Sequence, residues 1–263
     1  MLLHAHSTNH FNIIPDLFGD ITMIKVHSYE SMGTYDGPGL RLVVFLQGCP
    51  FRCLYCANPD TISFDGGTST ETEEIVKMAV NQKPFFGKRG GVTFSGGEPT
   101  SQAQGLIPIV DRLHEEGINV CIDTNGGVWN PAVEELISKV DLVLLDVKQI
   151  NPARHESLTG RSNSRTLETA KWLEDHGKPF WLRYVLVPGI SDAEEDIRTL
   201  GEHFKDYKMI QRVEILPYHT LGIHKYESMG QEYLLKDTKT NTPDQLDRAK
   251  LLFDEYFDCA MVN

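Results

Sequence analysis

The 263-residue sequence has no apolar run long enough to cross a bilayer, because a transmembrane helix needs about 20 consecutive apolar residues. The longest runs, LVVFL at 42–46 and LVLL at 142–145, are typical of buried strands. Basic residues are also outnumbered: 25 Lys and Arg stand against 37 Asp and Glu, giving a formal net charge of −12. A nucleic-acid binder usually carries a basic face. We therefore expect neither a membrane nor a nucleic acid as partner.

Cysteine is scarce and unevenly placed. The chain has five cysteines, and three of them, Cys49, Cys53 and Cys56, lie within eight positions. A secreted disulfide framework would have an even, dispersed set, so this pattern favours reduced thiols in a cytoplasmic chain, with the clustered three serving a metal. Cys121 and Cys259 stand apart, and we interpret both as small, inert residues.

Lys and Arg are absent from the first 22 residues. A secretory signal needs a positively charged start, and a transit peptide is rich in arginine, so neither is indicated. We predict that residues 1–23 are a flexible N-terminal extension and that residues 24–263 form a single domain. An upstream start codon in the gene model, with Met23 as the true first residue, explains the same stretch equally well.

Six apolar, β-rich runs alternate with six segments of helical periodicity, which is the pattern of a parallel α/β sheet. The predicted strands are 41–47, 91–95, 119–123, 141–147, 180–187 and 212–218. The predicted helices are 70–82, 101–116, 131–139, 165–176, 191–207 and 242–257. Helix-start signals occur at Thr70, at Ser191 with Asp192, and at Thr242 with Pro243.

Polar and glycine-rich segments follow each predicted strand. They read GCPFRCLYC, SGGEP, DTNGG, DVK, VPG and LPYH. In a parallel α/β barrel the site is built from the loops at the carboxyl ends of the strands. Six such ends favour one large site in one domain, although the length alone would also allow two domains. Six units rather than eight predict an open, partial (β/α)6 barrel of the TIM type.

The spacing Cys49-x3-Cys53-x2-Cys56 offers three thiolates on one short loop. A structural zinc site wants four ligands, usually in two pairs, and the chain has no second cysteine pair. An iron–sulfur cubane normally takes four thiolates, so three would leave one iron open. From the residues alone, a metal ion and an iron–sulfur cluster both remain possible.

The C-x3-C-x2-C loop, with Tyr55 before its last cysteine and the segment SGGEP at 95–99, resembles the radical S-adenosylmethionine (SAM) enzymes. In that family the open iron of a 4Fe–4S cluster binds SAM, and one-electron reduction releases a 5′-deoxyadenosyl radical. The chemistry belongs to the cofactors, and the protein positions and shields them. The resemblance implies the open barrel of this family.

The stretch YDGPGLRLVVFLQGCPFRCLYCANPDT at 35–61 further resembles the activating enzymes of glycyl-radical enzymes. The resemblance continues to the C-terminus through CIDTNGG, LVLLDVKQ, RYVLVPGISD and ILPYHTLGIHKY. It implies abstraction of a hydrogen atom from a glycine of a protein partner, with flavodoxin or ferredoxin as electron donor. No cysteine lies between Cys56 and Cys121, which favours the short type of activator, whose partner is pyruvate formate-lyase. We expect the chain itself to act as a monomer.

The resemblance also assigns individual residues. Those expected to hold the cluster are Cys49, Cys53 and Cys56. Those expected to contact SAM are Tyr55, Cys56, Ala57, Gly97, Asp146, Val147, Lys148 and His219, with Arg183 as a weaker candidate for its carboxylate. Those expected to bind a monovalent cation are Asp123, Thr124, Asp146 and the carbonyl of Leu144. Oxygen ligands suit a hard cation, and Lys148 and Arg183 suit a carboxylate.

One position departs from the family pattern. Ala57-Asn58-Pro59 follows the last cysteine, where the best-known relatives have His-Asn. A backbone contact suffices there, so we expect little loss. Two other functions remain open from the sequence: a radical SAM enzyme acting on another glycyl-radical enzyme or on a small molecule, and a zinc-stapled binding module.

Overall fold

The computed structural model describes residues 23–263. Residues 1–22, most of the predicted extension, lie outside the described residues, and Met23 is the first residue of a strand. The strands are β1 (Met23–Gly33), β2 (Arg41–Leu46), β3 (Thr68–Glu71), β4 (Gly91–Gly96), β5 (Asn119–Thr124), β6 (Leu142–Asp146), β7 (Phe180–Leu186), β8 (Ile210–Pro217) and β9 (Ala260–Val262). The helices are α1 (Thr72–Phe86), α2 (Ala103–Glu115), α3 (Pro131–Lys139), α4 (Pro152–Thr159), α5 (Ser164–Asp175), α6 (Glu194–Phe204), α7 (Ile223–Ser228) and α8 (Pro243–Asp254).

All nine strands form one sheet in the order β3-β1-β2-β4-β5-β6-β7-β8-β9. From β2 onward, every neighbouring pair is parallel, whereas β1 pairs antiparallel with both β2 and β3. From β2 to β9 the neighbouring strands follow each other in chain order, with β3 displaced to the far side of β1, and the two edge strands of the described sheet do not pair. The predicted open barrel of six βα units is therefore confirmed, with β1, β3 and β9 added at its edges.

Side chains along the parallel strands alternate between two environments, as the period of two in a strand requires. On β5, Val120 and Ile122 pack into the large core under the helices, while Cys121 packs in a second, smaller apolar cluster. Leu142, Leu144 and Trp181 complete that cluster. The alternation explains how strands that read as continuous apolar runs also present polar side chains from their other face.

The predicted helix start is confirmed where a capping side chain directly precedes a proline. Thr242 and Gln245 form a capping box before α8, with Pro243 in the first turn. The start predicted at Ser191 and Asp192 is wrong, because α6 begins at Glu194. The Ser191 hydroxyl accepts from the Val187 N–H (2.8 Å), so it fixes the preceding turn instead.

The start signal at Thr70 is also displaced. Thr70 lies in β3 and pairs with Ile24 of β1, and α1 begins at Thr72. Among residues 23–263, no helix has the length and apolar character required to cross a membrane.

Candidate active site

Two glycines make close contacts where the cysteine loop follows β2. Gly48 has φ +99°, and a Cβ there would lie 2.5 Å from the Phe64 ring. A Cβ on Gly97 would lie 2.4 Å from the carbonyl oxygen of Gly48. Only glycine allows the loop after β4 to approach the cysteine loop this closely. The Glu98 N–H then donates to the Gly48 carbonyl at 2.8 Å and joins the two loops.

The far side of the cysteine loop is held by the end of α4. The N–H groups of Arg52 and Leu54 donate to the carbonyls of Thr159 (2.8 Å) and Leu158 (3.0 Å). Cys49, Cys53 and Cys56 are all reduced and partly exposed. Because backbone bonds on both sides hold the loop, its shape does not depend on the three thiol groups.

The three thiols face one cavity of about 630 Å³. Among residues 23–263, no three His, Cys, Asp or Glu side chains converge on a point that could hold a single metal ion. That result concerns a single bound ion. It does not count against a cubane, because each cysteine then binds a different iron and the sulfur atoms need not converge. Three free thiols on one cavity wall fit the cluster chemistry.

The cysteine thiols are protonated at neutral pH in the absence of a metal. Burial raises the pKa of Cys49 and of Cys53 to about 12, and it raises the pKa of Cys56 as well. Lys148 is the main nearby charge that favours the Cys53 thiolate. Since the metal ligand is the thiolate, loading the site must release protons.

Asp146 and Lys148 face the cavity from the loop that follows β6. The Lys148 ammonium donates to the Asp146 carboxylate at 2.6 Å and lies 5.7 Å from the centre of the Tyr55 ring. Burial alone would lower the pKa of Lys148, but the negative charge of its hydrogen-bond partner Asp146 acts in the opposite direction, so the pKa is raised and Lys148 stays charged. Val147, between them, packs into the core, so only its backbone could contact a ligand.

A buried charge cluster lies beside these residues. The Arg183 guanidinium contacts a carboxylate oxygen of Asp123 and one of Glu214, each at 3.2 Å, and donates to the Tyr35 carbonyl at 3.2 Å. Its predicted contact with a ligand carboxylate stays a prediction. Burial and the charge of Asp123 raise the pKa of Asp36 to about 6. The YDGPG loop therefore brings a further carboxyl group toward the same cluster.

Glu98 is the most completely buried acid at the site. One of its carboxylate oxygens accepts from the Thr100 N–H (3.0 Å) and from the hydroxyls of Thr100 and Thr124 (2.6 Å each). The other accepts from the Asn125 N–H at 2.8 Å. Burial raises the pKa of Glu98, and these four donors oppose that rise. Glu98 thus joins the loop after β4 to the loop after β5.

The predicted cation ligands already have partners within the chain. The Ser95 hydroxyl donates to Asp123 at 2.9 Å, Thr124 donates to Glu98, and Asp146 accepts from Lys148. Asp123 and Leu144 are direct neighbours in the sheet register, so the predicted ligands do lie close together. The cation itself stays a prediction.

All the predicted site side chains except Val147 line the one cavity. They are Cys49, Cys53, Tyr55, Cys56, Ala57, Gly97, Asp123, Thr124, Asp146, Lys148, Arg183 and His219. His219 is exposed at the rim, where its Nδ1 accepts from the Leu221 N–H at 3.4 Å.

Comparison with known proteins decides the family. Residues 43–200 match the Radical SAM superfamily. The pyruvate formate-lyase-activating enzyme of Streptococcus mutans is 45% identical over 244 residues, which cover 88% of this chain and 93% of that protein. The pyruvate formate-lyase 1-activating enzyme of Escherichia coli strain K12 is 43% identical over 235 residues, which cover 88% and 96%.

The chain belongs to the radical SAM family of pyruvate formate-lyase-activating enzymes.

The fold agrees with that membership. The Streptococcus suis protein SuiB, solved with S-adenosylmethionine bound, superposes with a TM-score of 0.67 at 18% identity, covering 86% of this chain and 50% of SuiB. This likeness concerns the radical SAM fold alone. Membership of the radical SAM family implies a 4Fe–4S cluster and SAM as cofactors.

Several residues at this radical SAM site were missed by sequence reasoning. They are Tyr35, Asp36, Glu98, Asn125, Glu214 and Leu221. Glu98 belongs to the SGGEP segment, so the sequence placed it near the site but did not show that its carboxylate is buried. Tyr35 and Asp36 belong to the quoted YDGPG segment, whereas no signal in the sequence distinguishes Glu214 from other strand residues.

Proposed function

We propose that this protein installs a glycyl radical on pyruvate formate-lyase. The observation that supports the proposal best is the cavity where three reduced cysteines meet the loops following β4, β5, β6 and β8. When bound, the cluster and SAM would supply reductive cleavage of the sulfonium, giving methionine and a 5′-deoxyadenosyl radical. The radical would take a hydrogen atom from a glycine Cα of the partner and become 5′-deoxyadenosine.

Each loop has a part in this proposal. Cys49, Cys53 and Cys56 would each hold one iron and leave the fourth open for the amino and carboxylate groups of SAM. Gly97, the backbone of Ala57, and Lys148 would position SAM, and His219 would contact it from the rim. The pairing of Lys148 with Asp146 holds that ammonium in place at 2.6 Å.

A protein substrate is supported by the rim of the cavity. Tyr35 and Leu221 line it, yet they are 65% and 74% exposed. Their exposed side chains would be available to contact a bound polypeptide. A glycine-bearing loop could enter between them, since the sheet is not closed. The same proposal includes a monovalent cation held by Asp123, Thr124 and Asp146. It also includes flavodoxin or ferredoxin as electron donor, a monomeric state and a cytoplasmic location.

The test is electron paramagnetic resonance of an anaerobic mixture of the reconstituted protein, pyruvate formate-lyase, SAM and a reductant. We expect the doublet of a glycyl radical, coupled to its remaining α-hydrogen, and no signal when SAM is omitted. If SAM is cleaved but no doublet forms, pyruvate formate-lyase is not the substrate. Another glycyl-radical enzyme or a small molecule would then take its place.

A further inference from the structure

One polar side chain lies against a cysteine sulfur and has no part in the mechanism above. The side-chain amide of Asn125 donates from Nδ2 to Cys49 Sγ at 3.8 Å. Sulfur is larger than oxygen and accepts at longer distances, so this contact is a hydrogen bond. Asn125 is only 6% exposed and lines the cavity. Within residues 23–263, no other side chain donates a hydrogen bond to any of the three clustered sulfurs.

The orientation of this amide is fixed by its neighbours. Its Oδ1 accepts from the Gly127 N–H at 2.9 Å, which leaves Nδ2 to face Cys49. The backbone is fixed as well: the Asn125 N–H donates to Glu98 at 2.8 Å, and its carbonyl accepts from the Thr166 hydroxyl at 2.7 Å. Three independent contacts thus aim one N–H at one sulfur.

We infer that Asn125 raises the reduction potential of the cluster by hydrogen bonding to the Cys49 ligand. The inference rests on the proposed assignment of Cys49 as a cluster ligand. Reduction adds one electron to the cluster and its thiolates, and an N–H aimed at a ligand sulfur stabilises that added negative charge. Hydrogen bonds to the sulfurs are among the factors that set the potential of such clusters.

A negative charge near Cys49 opposes reduction, and the hydrogen bond from Asn125 counteracts it. Glu98, buried beside Cys49, disfavours negative charge on that sulfur. A donor at Cys49 offsets part of that effect, so that an external one-electron donor can reduce the cluster. Asn125 is therefore a positioning and tuning residue rather than a catalytic one.

Two variants test the inference. Asn125→Asp keeps an oxygen for the Gly127 N–H but replaces the donor by a carboxylate, and it is measured at pH 8.5 so that the new group is ionised. Asn125→Ser keeps a turn-forming acceptor and adds no charge. The control is Asn130→Asp, the same chemical change at the N-cap of α3, where aspartate caps equally well and no cavity wall is touched.

The measurement is a redox titration of each reconstituted protein without SAM, followed by the electron paramagnetic resonance signal of the reduced cluster. At the wild-type midpoint, we expect the reduced-to-oxidised ratio to fall about tenfold in Asn125→Asp, equivalent to about 59 mV for a one-electron couple. We expect a smaller fall of the same sign in Asn125→Ser and no change in Asn130→Asp.

The outcomes separate the inference from the proposed function. If the wild-type protein takes up no iron and sulfide, the proposed function fails. If all the proteins load a cluster and both Asn125 variants titrate at the wild-type midpoint, only the tuning inference fails. If both variants lose the cluster while Asn130→Asp keeps it, Asn125 acts in assembly of the site, and the tuning inference is likewise overturned.

Discussion

Replacing Cys53 with alanine is expected to reduce SAM cleavage to the background level of a protein without a cluster. The reason is the ligand count: two thiolates cannot replace three at a cubane that already leaves one iron open. The fold should survive, because the loop is held by backbone bonds from Arg52 and Leu54 to α4 and not by the Cys53 side chain. We expect the free energy of unfolding to change by about 1 kcal/mol or less.

The measurement is chromatographic quantification of 5′-deoxyadenosine after anaerobic reconstitution and reduction, together with urea unfolding of the unloaded protein. Cys259→Ala is the matched control, since Cys259 is also a reduced, partly exposed cysteine but lies beside β9, away from the cavity. Full cleavage by Cys53→Ala would refute its assignment as a ligand. An equal loss in Cys259→Ala would show that the effect is not specific.

Replacing Glu98 with alanine is expected to lower the free energy of unfolding by about 3 kcal/mol or more. Four donors, from Thr100, Thr124 and Asn125, would lose their acceptor inside a buried site. Each buried polar group left unsatisfied costs about 1–3 kcal/mol. SAM cleavage should fall as well, because Glu98 fixes the loops that carry Gly97 and Asn125.

Glu98→Gln separates charge from shape. Its amide oxygen can keep the three bonds from Thr100 and Thr124, but its NH₂ group would then face the Asn125 N–H, donor against donor. We expect a loss of about 2 kcal/mol in urea unfolding. Glu135→Gln on the exposed face of α3 is the control, with an expected change within about 0.5 kcal/mol. If Glu98→Gln is as stable as the control, Glu98 does not hold these loops together.

The parallel barrel could be predicted because its strands carry their own signal. Runs such as LVVFL and LVLL are buried on both faces, and the intervening helices have an apolar stripe and recognisable starts. The edge strand β1 carries no such run: about half of its sequence MIKVHSYESMG is exposed, and Lys, His, Ser and Glu interrupt its apolar residues. The three-residue β9 and the short helices α4 and α7 are below the length at which periodicity is informative.

The candidate site, like the fold, could be predicted only in part. The cysteine spacing identified Cys49, Cys53 and Cys56 as one group, the strand ends placed the segments that contain Gly97, Lys148 and His219 near them, and the family resemblance supplied the individual roles. The buried contacts of Glu98 with Asn125, and of Arg183 with Glu214, join residues 27 and 31 positions apart on different elements. Contacts of this kind form only when the strands come together in the fold, so no local sequence pattern predicts them.

In the proposed reaction, the radical generated at this cavity takes its hydrogen atom from a glycine of pyruvate formate-lyase. The most direct measurement uses pyruvate formate-lyase produced with Cα-deuterated glycine, mixed anaerobically with the reconstituted protein, SAM and a reductant. Mass spectrometry of the 5′-deoxyadenosine should show one deuterium gained per partner radical formed. If 5′-deoxyadenosine accumulates without deuterium while a glycyl radical appears on the partner, direct abstraction from glycine is contradicted.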